Sequence, residues 1–579
     1  MKMKYLACTL GLVLVLSLAA CGNSNETTAT GTQGSEIQTT QASGNIPVDT
    51  TYFSDSDEKD VTGETPDALI TLDGPSGTIS DTTRGSSGST VTITSKGIYR
   101  VSGTSDNVSI IVNDTTKSGN VYLILDNVTM TNGSAPCIVV EAADKVIIQC
   151  VGTNTLTYTA VSASADGAIY AKDDVTVNGS GSLTIDSALH GIVSKNDVKI
   201  TGASITLRAQ SIGVKAGDSV RIGGGEMSIV SGHDGIQVSN SDGTAFFYME
   251  DGTLEIRAEY DGIDVGTDGS SMTGYILMAG GTADITAGGG SENAVSSSTS
   301  QKGLKCDGNI QITGGNVAVS SADDALHSDG DVYISGGTLT AASSDDGIHA
   351  DQALYISGGT VDVTKAYEGL EAYEITISGG ETSVYASDDG LNAAGGSDTS
   401  SAETGPSFWG NTASTGTLTV SGGKLYVNAG GDGLDSNGSL YVTGGFVIVE
   451  GPTNSGNGAL DCGDGNGSVL SITGGTVLAT GSSGMAVNFD SGTQCAALVS
   501  LSGTSGTTIS VDDGSGFSFT ASKNFECLVY SSPSMTQGNT YTITVGSASA
   551  SADFSSGLYY SNISGQGGPG GGPGGHGGK

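Results

Sequence analysis

Basic residues are scarce in this chain. Twenty-one lysines and arginines stand against 61 aspartates and glutamates, for a net charge of −40. With no basic patch to offset that field, nucleic acid is excluded as a partner. Aromatic residues make up 5% of the 579 positions, with one tryptophan, and proline occurs 9 times. The longest apolar run near the start, 10–16, is too short to cross a bilayer. The 8 cysteines show neither zinc spacing nor a compact disulfide framework, although a Cys137–Cys150 bridge is open. Glycine, by contrast, occurs 93 times without a Gly-X-Y period, which excludes collagen and fits many tight corners.

What is present is a repeat. Between Gln301 and Asn392 an apolar alternation runs to a Gly-Gly pair and then to an acidic turn that opens a Gly/Ala–Leu/Ile step. Gly303, Ala325, Gly347, Gly369 and Gly390 mark it at intervals of 22, 22, 22 and 21 residues. Upstream, Gly167, Gly191, Gly213, Gly235 and Gly262 step by 24, 22, 22 and 27. Downstream marks fall at Gly433, Gly458 and Gly484. Such a period is the signature of a solenoid.

One unit, Asp331 to Ala350, contains three short period-two runs rich in β-branched residues and no helical spacing. Three strands in 22 residues predict an all-β, right-handed parallel β-helix. Inward Val, Ile and Leu would stack coil on coil at ~4.8 Å. The glycine pairs are expected where corners require positive φ. Two steps, Gly262 to Gly303 (41) and Gly390 to Gly433 (43), exceed one coil. Their extra Ser/Gly-rich residues, 287–300 and 393–416, should project as loops, the second carrying Phe408 and Trp409.

Stacking converts a column of text into a ladder. Before the Gly/Ala stand Asp261, Lys302, Asp324, Asp346, Glu368, Asp389 and Asp432. Two residues after it stand Asp264, Lys305, His327, His349, Glu371, Asn392 and Asp435. Carboxylates ~5 Å apart repel by roughly 3 kcal/mol at an effective dielectric near 20. Oxygen ligands without cysteine favour a hard cation, so Asp261, Asp264, Asp323, Asp324, Asp345, Asp346, Glu368, Glu371, Asp388 and Asp389 are candidate calcium ligands. Asp-Gly is also ordinary turn chemistry, and that alternative stands beside the metal. His327 and His349 fit hydrogen bonding or sugar contact better than zinc, which would want cysteine or more histidine. Tyr333 and Tyr355, one coil apart, and Trp409 offer flat rings for a sugar face.

The ends divide the chain further. Residues 1–20, with Lys2 and Lys4 before a short apolar core, read as a secretory signal. Leu18-Ala19-Ala20-Cys21 resembles a bacterial lipobox, which implies lipidation of Cys21 and an extracellular, membrane-anchored lipoprotein. Residues 21–60 read as a disordered tether, 61–490 as the β-helix, 491–563 as a small C-terminal β cap, and 564–579 as a Gly/Pro-rich disordered tail.

Lys302-Gly303-Leu304-Lys305, Asp-Asp-Ala-Leu-His-Ser (323–328), Asp-Asp-Gly-Ile-His-Ala-Asp (345–351), Tyr-Glu-Gly-Leu-Glu (367–371) and Asp-Asp-Gly-Leu-Asn (388–392) together resemble a family of bacterial extracellular β-helix proteins, the carbohydrate-binding domain-containing proteins. The resemblance covers about residues 60–560. It implies bound calcium and affinity for an acidic plant cell-wall polysaccharide, notably polygalacturonate, with cellulose as a further candidate. The family is similar in fold to family-nine pectate lyases. On that likeness Lys305 matches the base of a β-elimination, with Asp261 and Asp264 near calcium. The alternative for Lys302 and Lys305 is neutralisation of the acidic column, or contact with the glycan. The leading expectation is a monomeric, non-catalytic, calcium-dependent polysaccharide-binding lipoprotein; a pectate-lyase-like enzyme and a surface adhesin are the alternatives.

Overall fold

The computed structural model describes residues 51–161, 167–266, 273–394, 416–463 and 467–563. The signal segment, Cys21, the tether up to residue 50, Phe408, Trp409 and the tail lie outside them. Among the described residues the chain is nearly all β, a parallel β-solenoid of about 13 turns.

One coil shows how the sequence produces it. Leu304–Cys306, Asn309–Ile312 and Asn316–Ser321 are its three strands. Each pairs in parallel with its counterpart in the next coil, Leu326–Ser328, Asp331–Ile334 and Thr338–Ser343. Repeated along the chain, these pairings make three sheets, here sheets 1, 2 and 3 in the order of the strands within a coil. Alternation points every second side chain inward, so Leu304, Leu326, Ile348, Leu370, Leu391 and Leu434 form one fully buried stack under sheet 1. Each such side chain contributes about 1.5–3 kcal/mol by leaving water.

The two long steps are each a single coil. Ile263 pairs with Leu304 and Leu391 with Leu434, so the excursions interrupt the chain without shifting its register. The 288–300 segment does not project. It folds back, with the Ser344 hydroxyl donating to the carbonyls of Ser291 (2.7 Å) and Asn293 (2.5 Å), and Lys365 pairing with Glu292 at 3.1 Å. Its glycines and serines leave carbonyls open for these donors. The 395–415 excursion lies outside the described residues. The mark after Gly433 is Ala459 rather than Gly458, because Leu434 bridges Leu460.

Glycine plays two distinct parts. The second glycine of each pair has positive φ, as in Gly315 (78°) and Gly337 (75°), as the turn chemistry requires. The glycine of the acidic turn does not. There a Cβ would strike the core: at Gly369 it would lie 2.1 Å from Val384 Cγ1 and 2.3 Å from the Gly390 carbonyl oxygen. At Gly369 the approach of the next coil and of Val384, rather than left-handed backbone, excludes a side chain.

The tether ends earlier than residue 60. Tyr52 stacks on Tyr248 with ring centroids 3.7 Å apart, and the Arg221 guanidinium donates to the Tyr52 carbonyl at 2.8 Å. Asp57, fully buried in the single helical turn Asp55–Glu58, accepts from Lys145 (2.8 Å) and Thr176 (2.6 Å). Burial opposes its charge, but those donors hold its carboxyl well below the usual range. Two aromatic rings and one paired carboxylate outweigh the ordering entropy that the surrounding Ser/Thr composition suggested would win.

At the other end the strand Leu470–Gly481 pairs in parallel with Ser491–Gly492 at Ser471 and Ile472, and from Val477 to Gly481 it is covered by antiparallel Cys527–Ser531. A four-stranded antiparallel sheet follows with its own core around Phe517, Tyr530 and Phe554. Cys137 and Cys150 are both buried free thiols, so no bridge joins them.

Gly369→Ala should destabilise the protein by about 1–3 kcal/mol through overpacking, read as a lower midpoint in urea, whereas Ala325→Gly at the equivalent position should change it by less than half as much. Equal effects would mean that contact with Val384 does not set the glycine.

Candidate functional site

The outward column of sheet 1 is continuous. Lys215, Gln237, Asp264, Lys305, His327, His349, Glu371, Asn392 and Asp435 are successive register partners. The residue before each Gly/Ala stacks too, since Gly262, Gly303, Ala325, Gly347, Gly369 and Gly390 each donate an N–H to the carbonyl of that residue in the next coil, within 2.8–3.0 Å. The two columns therefore run side by side as one acidic track.

Its first part carries its own cations. The Lys302 ammonium, buried, lies 2.7 Å from Asp324 and 3.1 Å from Asp323. His327 Nδ1 lies 2.8 Å from the same Asp324 oxygen and Nε2 3.4 Å from Asp329. Burial works against charge on Asp324, yet Lys302 and His327 keep it ionised, far below its ordinary value. His349 has Asp346 (3.2 Å) and Glu371 (3.0 Å) at Nδ1 and Asp351 (3.1 Å) at Nε2. Against the cost of burial, these carboxylates hold the imidazolium, its pKa well above the usual range. The two imidazoles stack at 4.8 Å. Lys305 lies 3.5 Å from Asp261 and 3.3 Å from Asp264, and despite burial these two raise its pKa further.

Beyond Glu371 no lysine, arginine or histidine pairs with Glu368, Asp432 or Asp435 among the described residues. Burial and then Glu371 push the Glu368 carboxyl up to about 8, although Asn392 donates to it at 2.8 Å. Burial, Asp389 and Asp435 push Asp432 up to about 8; burial, Asp461 and Asp389 push Asp435 up to about 7. Ligand oxygens of Asp389, Asp432 and Asp435 lie within 4.8 Å of one another. Asp323–Asp324–Asp345 and Asp346–His349–Glu371 are similarly close. Those two sets already hold an ammonium and an imidazolium, so the all-oxygen lower set suits a hard divalent cation best.

Several expected contacts move. Lys302, His327, His349 and Tyr333 are buried (6%, 8%, 1% and 7% exposed), so they brace the track and do not face a glycan. Tyr333 donates to Asp331 at 2.6 Å and stacks on half-buried Tyr355 at 5.2 Å. Asp388 lies at the Gly431 turn: a Cβ on Gly431 would fall 2.3 Å from its Oδ1. In place of these, Tyr367 (48% exposed) and Tyr373 (43%) flank Glu368 and Glu371, one on each side of the track. Their positions, two before and four after Gly369, were readable from the period. Asp432 and Asp435 were in the written column but gained weight only from the absence of nearby cations.

The pH dependence follows. Carboxyls raised in the folded state bind more protons there than in the unfolded chain, where they titrate near 4. Their charging therefore removes stability as pH rises from about 4 to 8. His349, raised above 6.5, adds stability that is likewise lost as pH climbs through its folded value. In chelator, the urea midpoint should fall between pH 5 and 8, and Asp432→Asn with Asp435→Asn should flatten that fall. An unchanged slope in the double variant would remove the uncompensated carboxyls from the account.

A family model described as carbohydrate-binding domain-containing protein matches residues 87–347 and 341–390. A protein of that same description from Acetivibrio thermocellus is 36% identical over 129 residues, 21% of this chain and 45% of the relative, so the match spans less than half of that relative's length. A solved structure, the gadolinium derivative of the polysaccharide lyase-like protein from C. thermocellum, is 31% identical, covers 42% of this chain and 96% of its own, and superposes with a TM-score of 0.38.

Proposed function

The chain belongs to the carbohydrate-binding domain-containing family, and from that premise we propose that it binds an acidic polysaccharide, of the polygalacturonate type, along the sheet 1 track with calcium as bridge. The observation that carries this reading is the set Glu368, Asp432 and Asp435, half-buried carboxyls on the track that no lysine, arginine or histidine pairs with among the described residues. Asp389, Asp432 and Asp435 would hold the ion. When bound it supplies positive charge that both relieves the column and attracts a uronate carboxylate. Tyr367 and Tyr373 are the exposed rings placed to stack on sugar faces beside it. The lipidated Cys21 of the proposal would keep the protein at the cell surface.

A lyase reading rests on Asp264 and Lys305 being register partners, which restores the coil-on-coil neighbourhood of the resemblance. A base must first be neutral, whereas Lys305 lies 3.5 Å from Asp261 and 3.3 Å from Asp264, which favour its ammonium as long as no cation occupies those carboxylates. Binding is the function the family supports directly.

Wild-type protein should be retained on insoluble pectin in calcium and released by chelator, and calcium should raise its melting temperature by mass action. Asp389→Asn/Asp432→Asn/Asp435→Asn should lose at least tenfold in calcium-dependent retention. Retention equal to wild type would sink the calcium site. Unsaturated uronate absorbance that disappears in Lys305→Ala would establish the lyase instead.

A further inference from the structure

Upstream of the acidic stretch the same track changes sign. Lys195, Lys215, Gln237, Ser239, Asp264 and Lys305, with Gly266 and Asp307, line a groove of about 400 Å³. Lys215, Gln237, Asp264 and Lys305 are consecutive register partners, so the groove runs along the stacking direction and is continuous with the ladder. Two residues further along each strand, Gly217, Ser239 and Gly266 present little or no side chain. At Gly266 a Cβ would fall 2.6 Å from an Asp307 carboxylate oxygen, so no bulk is accommodated there.

In a chain with three acids for every base, lysines are expected to have acidic partners. Lys302 and Lys305 do. Among the described residues the side chains of Lys215 and Lys195 form no ion pair or hydrogen bond, and the Lys195 ammonium lies over the face of Tyr170 at 5.9 Å. Val193 is the register partner of Lys215, so Lys195 sits one coil (~4.8 Å) back and two residues further along its strand, and both lysines line a groove whose two acids, Asp264 and Asp307, act on Lys305. From Lys215 to Asp461 the track spans about 43 Å at that repeat. Its cationic end, its internally neutralised middle and its acidic end lie on a single line.

We propose that the Lys195–Lys215 groove is a cation-independent subsite for a carboxylate of an acidic glycan whose chain continues over the acidic stretch. It rests on the polysaccharide-binding reading and extends it: one end of the ligand is held by ammoniums directly, the other through metal. Lysine is a flexible point charge and suits carboxylates whose spacing along a polymer does not match the coil repeat. Held partly in water, such contacts are sensitive to salt.

The test uses the full chain in EDTA with a size-defined oligogalacturonate, its methyl-esterified counterpart and inorganic sulfate, followed by titration calorimetry. Oligogalacturonate should bind, more weakly as salt is raised, and the neutral ester should not. Lys195→Ala/Lys215→Ala should weaken binding about tenfold, the loss of one charge-assisted hydrogen bond, while Lys195→Arg/Lys215→Arg retains it. Unchanged melting temperatures would confirm that these surface variants fold. No binding in EDTA, or binding indifferent to the alanine pair, overturns the subsite even where calcium-dependent retention on pectin persists. Sulfate binding as tight as oligogalacturonate would make it a general anion site and overturn the glycan assignment.

Discussion

Parallel hydrogen bonding in register between consecutive coils is the constraint on which everything else here depends. Once Leu304 is paired with Leu326, and Leu326 with Ile348, the inward face becomes a stack of like side chains and the outward face a stack of like charges. The two cannot be chosen separately. A slip by one residue would send every core side chain to solvent, so the apolar stack holds the carboxylates in a proximity that their repulsion would otherwise prevent.

The molecule answers that repulsion differently along its length. Around Asp261 to Glu371 it supplies ammonium groups, Lys302 and Lys305, and two buried imidazoles with acids at both nitrogens, all from within the same columns. Beyond Glu371 it supplies amide donors, as from Asn392 to Glu368 and from backbone N–H groups to Asp389 and Asp432. Dipoles stabilise a carboxylate less than a full positive charge does, and the remaining deficit appears as carboxyls lifted toward neutrality. Upstream, Lys195 and Lys215 line the groove and form no side-chain ion pair among the described residues. Charge is thus distributed along one axis while the backbone geometry barely changes.

Much of this was legible in the text of the chain. Period-two alternation inside a period of 22 specifies three strands per coil, and the column of Asp, Lys, His and Glu residues could be written down before any coordinates. The long steps were not legible, because Ser/Gly-rich insertions carry no pattern that says whether they add a coil; only the Ile263–Leu304 and Leu391–Leu434 pairings decide it. Burial of outward side chains was equally hidden. Alternation says that Tyr333 and His349 point away from the core, but on a tightly stacked face neighbouring rings and carboxylates cover one another. Nor does spacing reveal that Lys302 reaches two carboxylates, since that depends on a rotamer. The docking of segment 51–60 is not legible, because its composition is that of a linker and its anchors are two residues, Tyr52 and Asp57.

The antiparallel strand laid across the final coil has a consequence of a different kind. In a stack where each turn is a template for the next, nothing intrinsic limits growth, and two bare ends would join as readily as two turns do. Cys527–Ser531 reverses direction where another copy would have to continue it. The finite length of the stack would then be written in the antiparallel strands of residues 491–563 rather than in the repeats themselves.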